Sequence, residues 1–154
     1  MTIRILIADR NPAHCKRLVD GLSRNADLSV IGHADTFSDI VGAVVRDRID
    51  VAVIDPSLPG CAGLDLIRDL KSIRPSIKTL LRATRSSRVV VMRALHAGAD
   101  GYMERSWQSG DVAAAIRQVA SGHPYVCPHV AHLIAMSILP SSTAGCRHRS
   151  NCHG

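Results

Sequence analysis

Long apolar stretches are missing from this sequence. No run of hydrophobic residues reaches the roughly 18–20 residues that a membrane-spanning helix needs, which argues against a transmembrane protein. The first five residues lead directly into a strand-like run, and no basic and then apolar segment of the secretory kind precedes it. We therefore expect a cytoplasmic protein with no membrane partner.

Aromatic side chains are also scarce, with one Trp, two Tyr and one Phe among 154 residues. The 19 basic residues exceed the 13 acidic ones and give a net charge of +6. A basic balance suits an acidic partner such as nucleic acid. Here the positive residues are spread along the chain, and few rings could stack on bases. Charge alone therefore does not predict a DNA-binding protein.

The five cysteines are an odd number and form no regular framework, so we expect free thiols rather than disulfides. Hydrophobic residues make up 46% of the chain and charged residues 21%, a balance typical of globular proteins. The length suffices for one domain with a core, and it is too short for two ordinary domains.

Short apolar runs alternate with segments long enough for helices. The runs are rich in Ile and Val, as strands buried on both faces are. The predicted strands cover residues 3–8, 28–31, 51–54, 77–81 and 101–103, and the predicted helices cover residues 12–24, 37–46, 61–73, 88–96 and 111–121.

Five strand–helix repeats predict a flavodoxin-like α/β fold, a doubly wound five-stranded parallel sheet with helices on both faces and strand order 2-1-3-4-5. We assign residues 1–124 to this domain. Residues 125–154 contain no acidic residue, and we expect a helix over 130–139 followed by a basic, disordered tail. In this order strands 1 and 3 are neighbours, and a ligand crevice opens at their carboxyl ends.

Asp9 and Asp55 directly follow predicted strands 1 and 3. Two carboxylates at adjacent strand ends repel each other and raise at least one pKa unless a cation lies between them. Mg²⁺ suits such oxygen ligands, and a carboxylate can act as the nucleophile in phosphoryl transfer. Either residue alone is better explained as a turn former, whereas the pair favours a phosphoryl-accepting metal site.

Three motifs, in this order and spacing, resemble the receiver domain of two-component response regulators, a CheY-like domain, and in particular the NarL/FixJ type. They are Ile-Leu-Ile-Ala-Asp over residues 5–9, Val-Ile-Asp-Pro-Ser-Leu-Pro-Gly over 53–60, and Ala-Leu-His-Ala-Gly-Ala-Asp-Gly-Tyr over 94–102. The resemblance covers about residues 3–125.

The resemblance implies that Asp55 accepts a phosphoryl group from the phosphohistidine of a histidine kinase or phosphotransfer protein. It also implies that Mg²⁺ is bound by Asp9, Asp55 and the backbone carbonyl of Ser57. Tyr102 would be the aromatic side chain whose rotamer follows phosphorylation. A receiver is a phosphorylated switch rather than an enzyme with turnover, and helix 4, strand 5 and helix 5 would form its interaction surface, including that of a homodimer.

Three pocket positions depart from the family pattern. Arg10 stands where the family has a second acidic residue, commonly the direct metal ligand. Arg105 replaces the Lys after strand 5, and a planar guanidinium is not equivalent to a compact ammonium. Ala83 occupies the position of the Thr or Ser that ends strand 4, unless a slip of one residue brings Thr84 there. We therefore expect Mg²⁺ to bind weakly or not at all.

These departures leave three hypotheses open. Arg10 and Arg105 hold the phosphoryl group directly, as Arg does in bidentate hydrogen bonding, and Asp55 keeps its function. Alternatively, the domain is a degenerate pseudo-receiver that acts by protein contact without phosphorylation. In the third hypothesis the chain is the remnant of a truncated LuxR/NarL-type DNA-binding regulator. About thirty residues follow position 124, too few for a helix-turn-helix domain, so we expect no direct DNA binding.

Overall fold

The structure, a computed structural model, describes residues 1–59, 65–105 and 109–140. The first residues of the predicted third helix, 61–64, and the predicted tail beyond residue 140 lie outside the described residues. The described elements are, in chain order, β1 (Ile3–Ala8), α1 (Pro12–Leu22), β2 (Leu28–Ala34), α2 (Phe37–Arg46), β3 (Val51–Ile54), α3 (Asp65–Ile73), β4 (Lys78–Ala83), α4 (Arg88–His96), β5 (Gly101–Glu104), α5 (Ser109–Ala120), β6 (Tyr125–Val126) and α6 (Pro128–Ile138).

The strands form one parallel sheet in the order β2-β1-β3-β4-β5-β6. The predicted flavodoxin-like fold and the order of its first five strands are confirmed. The structure adds β6, which pairs with β5 and extends the sheet beyond residue 124. Two residues carry too little hydrophobic pattern for a strand to be predicted from sequence. Among the helices of the described residues, none combines the length and the apolar character needed to cross a membrane.

Burial follows strand position in the sheet. Every residue of the central strand β3 is buried, whereas in the edge strand β2 only the first and last residues are. Helices α1 and α5 pack against each other, as do α2 and α3, and right-handed crossovers place these two pairs on opposite faces. A third pair, α4 and α6, packs beside β5. The hydrophobic core therefore lies on both faces of the sheet.

Strands β2 and β4 run farther than predicted, to Ala34 and Ala83. Their last residues include Gly32, His33 and Arg82, which interrupt the apolar pattern by which the strands were predicted. The pairing of neighbouring strands keeps these residues extended. As a result, polar side chains stand at the carboxyl edge of the sheet.

A cap fixes the start of α1 at the same edge. The side chain of Asn11 accepts hydrogen bonds from the N–H groups of Ala13 and His14, at 3.0 and 3.2 Å. Pro12 follows at the first helical position, where a missing N–H costs no hydrogen bond. The turn between β1 and α1 is therefore only three residues long and holds Asp9 beside the sheet.

Candidate functional site

Asp9 and Asp55 lie side by side at the carboxyl edge of the sheet. Strands β1 and β3 pair directly, with Ala8 opposite Ile54, so the next residue of each strand occupies the same edge. The two carboxylate residues are only 6% and 8% exposed. They line an open cleft of about 480 Å³. The other residues of the cleft are Arg10, Asn11, Pro12, Ser57 and Arg105.

The guanidinium of Arg105 bridges the two carboxylates. Its Nη2 donates to Oδ2 of Asp9 at 2.9 Å and to Oδ2 of Asp55 at 2.5 Å, and its side chain is 14% exposed. Nη1 donates to Oγ1 of Thr84 at 3.2 Å. The backbone N–H of Arg105 donates to the carbonyl of Ala83, which fixes the residue after the end of β5. A cation thus lies where two adjacent carboxylates require one.

Ser57 holds the other oxygen of Asp55. Its backbone N–H and its hydroxyl donate to Oδ1 of Asp55 at 2.9 and 2.8 Å. Burial by itself would raise the pKa of Asp55, but these two hydrogen bonds and the Arg105 guanidinium outweigh it and hold the pKa below its usual value. Asp55 is therefore ionised at neutral pH.

Asp9 is held by the residues that follow it and by β2. The backbone N–H of Asn11 donates to its Oδ1 at 2.8 Å, and Nδ1 of His14 lies 3.8 Å from its Oδ2. The backbone carbonyl of Asp9 accepts from the thiol of Cys15 and lies 2.9 Å from Nε2 of His33. Burial, with the Asp9 charge second, raises the pKa of Cys15 to about 11, so this thiol stays protonated. No sequence motif predicted a position at this site for His14 or His33.

Arg82 is a member of the site that sequence reasoning missed. It is the second-last residue of β4, and its Nη2 lies 3.4 Å from the carbonyl oxygen of Arg105. Burial, followed by the nearby Arg105 charge, lowers the pKa of Arg82. Together with Arg10 on the rim, three guanidinium groups surround two carboxylates. One sequence signal could have revealed Arg82. This arginine interrupts the apolar pattern of a strand that lies next to two acidic strand ends.

Ala83 and Tyr102 lie deeper than the carboxylates. Ala83 is the last residue of β4 and is 3% exposed, while the next residue, Thr84, is exposed and contacts Arg105. Tyr102, in β5, is fully buried, and its hydroxyl has no hydrogen-bond partner among the described residues. Burial raises its pKa, and the nearby hydroxyl of Ser86 opposes that rise only in part.

The side chains of the cleft offer few free oxygen ligands to the Mg²⁺ that the family resemblance implies. Mg²⁺ requires near-octahedral coordination by oxygen atoms. Asp9 and Asp55 supply two carboxylates, but one oxygen of each already accepts from Arg105. Among the residues that the structure describes, no group of three or more His, Cys, Asp or Glu side chains is placed to hold a metal ion. The residues present do not fit a resident Mg²⁺ while Arg105 keeps this position.

Comparisons with known proteins point to one family. Residues 5–117 match the model of the response regulator receiver domain. The DNA-binding transcriptional activator DevR/DosR of Mycobacterium tuberculosis is 31% identical over 120 residues, which cover 78% of this chain and 55% of that protein. The response regulator UvrY of Escherichia coli is 27% identical over 145 residues, 92% of this chain and 65% of that protein. The chain therefore spans just over half to about two thirds of the length of these relatives.

A solved structure of a LuxR-family two-component response regulator from Aurantimonas sp. superposes with a TM-score of 0.83 at 23% identity. The superposition covers 89% of this chain and 98% of the chain in that structure. The family model over residues 5–117 and these relatives identify the class of protein as a receiver domain of two-component systems. The chain belongs to the response regulator receiver domain family, as its motifs predicted, and is similar to the receivers of NarL/FixJ/LuxR-type regulators. Receivers of this family generally bind Mg²⁺ and serve in signalling.

Proposed function

We propose that this receiver accepts a phosphoryl group on Asp55 and that Arg105, rather than a metal ion, supplies the positive charge of the pocket. The observation that carries the proposal is the Arg105 guanidinium, which contacts Asp9 and Asp55 through a single nitrogen. A guanidinium has five donors in a planar fork and binds phosphoryl oxygens in pairs. Arg10 and Arg82 add two further cations near the same cleft.

The phosphoryl donor in this proposal is the phosphohistidine of a histidine kinase or of a phosphotransfer protein. A carboxylate oxygen of Asp55 attacks phosphorus, a P–O bond forms, and the P–N bond to histidine breaks. The electron pair of that bond stays on the imidazole nitrogen, which takes a proton from solvent. Arg105 turns its contact from Oδ2 of Asp55 to the transferred oxygens and stays bound to Asp9. The protein is then a switch and not an enzyme with turnover.

The switch acts through β5, which carries both Tyr102 and, directly after its end, Arg105. Because Ala83 has no hydroxyl, the phosphoryl group is sensed through the contact between Arg105 and Thr84. A moved Arg105 shifts the residues after β4, which lead into α4. Tyr102 has a free hydroxyl within the described part of the chain and can change rotamer without breaking a hydrogen bond. The output surface of the proposal is α4, β5 and α5, where a homodimer would also form.

A degenerate pseudo-receiver is the second candidate, and one observation favours it. Both carboxylate oxygens of Asp55 already accept hydrogen bonds, from Ser57 and from Arg105. A nucleophile held in this way reacts only if one of these contacts opens. In this candidate the bridged state is permanent, and the domain acts through protein contact. The relative DevR/DosR is a DNA-binding transcriptional activator. Direct DNA binding is not part of the function proposed for this chain. Descent from a truncated LuxR/NarL-type regulator and a cytoplasmic location stay hypotheses.

The two candidates are separated by treating the protein with acetyl phosphate and reading its intact mass. The first predicts one added phosphoryl group on the parent protein and none on Asp55→Asn. The matched control is Asp35→Asn, which removes an exposed carboxylate that follows the neighbouring strand β2 and should leave labelling unchanged. Chelating divalent cations should slow labelling only slightly.

A label on Asp55→Asn would show that another residue is the nucleophile. A parent protein that takes no label from acetyl phosphate or phosphoramidate would support the pseudo-receiver. Labelling that stops completely on chelation would contradict the role given to Arg105.

A further inference from the structure

The sheet has a second cavity at its amino edge, opposite the edge that carries Asp9 and Asp55. It is lined by the start of β1, the residues before β3 and β4, and the end of α5. Its volume is about 490 Å³, within the range of pockets that bind small molecules. The receiver chemistry described above makes no use of it.

Two cations of this cavity, Lys78 and Arg74, lack carboxylate partners of the kind that Arg105 has at the other edge. The side chain of Lys78 has no hydrogen bond or ion pair to any described residue. Arg74 donates through Nη2 to the carbonyl of Val44 at 2.9 Å, and its Nε is buried without a partner among the described residues. A cationic side chain that has no carboxylate partner in a partly enclosed cavity favours the binding of an anion from solution.

The one acidic residue in the lining, Asp50, does not neutralise these cations. Its Oδ2 accepts from the backbone N–H of Arg4 at 2.8 Å, and its Oδ1 lies 3.6 Å from Nε of Arg48. Arg117, also in the lining, is paired with Asp27 outside it. The charge left over in the cavity, on Lys78 and Arg74, is therefore positive.

The remaining walls are apolar. Ile49 is 2% exposed, and Ile3 and Ala120 are partly buried against the core. A ligand that fills this space has to bury an apolar body there and present its charge to Lys78 and Arg74.

We infer that the amino-edge cavity binds a small organic anion, an apolar body carrying a phosphate, sulfonate or carboxylate group and about the size of a mononucleotide. The apolar walls take the body, and Lys78 and Arg74 take the charged group. This site would be separate from the phosphoryl-acceptor site, and its existence does not depend on whether Asp55 is phosphorylated.

The test uses anilinonaphthalene sulfonate, an aromatic anion whose fluorescence rises in apolar pockets, with AMP and adenosine as competitors. The proposal expects AMP to displace the dye and the uncharged adenosine to do so far less well. Lys78→Met removes the charge and keeps the aliphatic stem. It should weaken dye and AMP affinity by about threefold to tenfold.

The matched control is Lys16→Met, which removes one exposed lysine from α1, away from the cavity, and should leave affinity within about twofold. Ala120→Phe fills the cavity without changing charge and should also reduce binding, with circular dichroism confirming that both variants fold. Equal losses in Lys78→Met and Lys16→Met would overturn the proposal, since they would indicate nonspecific attraction. Equal competition by adenosine and AMP, or none by either, would also overturn it.

Discussion

The two edges of the sheet carry similar side chains in different pairings. At the carboxyl edge, Asp9 and Asp55 share the Arg105 guanidinium at hydrogen-bond distance. At the amino edge, Lys78 and Arg74 line a cavity without a carboxylate partner in the described part of the chain. Both edges are rich in positive charge, but at the carboxyl edge two buried carboxylates neutralise the Arg105 guanidinium, whereas at the amino edge Lys78 and Arg74 keep their charge.

Because of this difference, the two edges are suited to different ligands. A cation between two carboxylates removes their repulsion and competes with any metal ion for the same oxygens. An unpartnered cation beside apolar walls offers a place for an anion. Net charge alone does not reveal this, because a chain of charge +6 contains both arrangements. The pairing of the charged side chains determines what each edge can bind. Variants that change this pairing therefore provide the strongest tests.

Breaking the bridge should have the largest effect. Arg105→Ala leaves two adjacent carboxylates, 8% and 10% exposed as side chains, without their shared cation. We expect the free energy of unfolding at pH 7 to fall by about 2–4 kcal/mol. Urea denaturation followed by circular dichroism measures it. The matched control is Arg10→Ala, an exposed arginine of the same cleft, with an expected loss within about 0.5 kcal/mol. Equal losses in the two variants would show that the bridge does not stabilise this edge.

The ion pair between Lys71 and Asp100 lies at the amino edge, and its loss should cost less stability than loss of the Arg105 bridge. Oδ2 of Asp100 accepts from Nζ of Lys71 at 2.6 Å and from the backbone N–H of Thr79 at 2.8 Å. Both side chains are more than a fifth exposed, which weakens the pair. We expect Asp100→Ala to lower the free energy of unfolding by about 1–3 kcal/mol. Asp47→Ala, which breaks the exposed pair with Arg46, is the control and should change it little. A loss larger than that of Arg105→Ala would reverse the ranking of the two edges.

At the carboxyl edge, we expect a smaller effect from substituting Arg10, measured as a change in Mg²⁺ affinity. Arg10 occupies the position of the family's second acidic ligand, and Arg10→Asp restores a carboxylate while removing a positive charge. We expect Mg²⁺ to bind more tightly by up to about tenfold, limited by the exposure of this position and by the remaining Arg105. Isothermal titration of parent and variant measures the ratio. Equal affinity would show that Arg10 does not govern metal binding.

We expect the smallest effect in Asp55→Asn, on the loss of stability at acid pH. The pKa of Asp55 lies below its usual value in the folded protein. Its contribution to stability is therefore present above the unfolded pKa of about 3.9 and is lost as the pH falls through the lower folded value. In Asp55→Asn this loss is absent, so the parent should lose stability more steeply below about pH 4. Urea denaturation across that range gives the slope for both, with Asp35→Asn as control. A parallel decline in parent and Asp55→Asn would contradict the assignment.

The fold could be predicted largely from the sequence because its signal is repeated. Strands β1 and β3 and helices α2 and α4 have the predicted bounds, since each apolar run ends at a polar or turn residue. The additions are the last residues of β2 and β4 and the whole of β6, where the hydrophobic pattern is weak. The last residues of β2 and all of β6 are held by neighbouring strands, which local sequence does not reveal.

The site could be predicted in part. The position of Asp9 beside Asp55 follows from strand order, which the sequence indicated. The guanidinium bridge did not follow, because it depends on the reach of the Arg105 side chain across two strands. Arg82 was missed for a related reason, since its role comes from contact with residue 105 rather than from any motif. The roles of these residues in phosphoryl transfer stay predictions.

Strand β6 is only two residues long, yet it determines which backbone groups at this edge of the sheet are exposed to other molecules. Its pairing of Tyr125 with Gly101 and of Val126 with Tyr102 covers the outer side of β5. An uncovered β5 would present a row of free N–H and C=O groups, the usual template for edge-to-edge aggregation. A chain ending at residue 124 would lose this cover, along with the buried Cys127 and Val130. Such a fragment would contain all three sequence motifs by which the family was recognised and still tend to self-associate through its open edge.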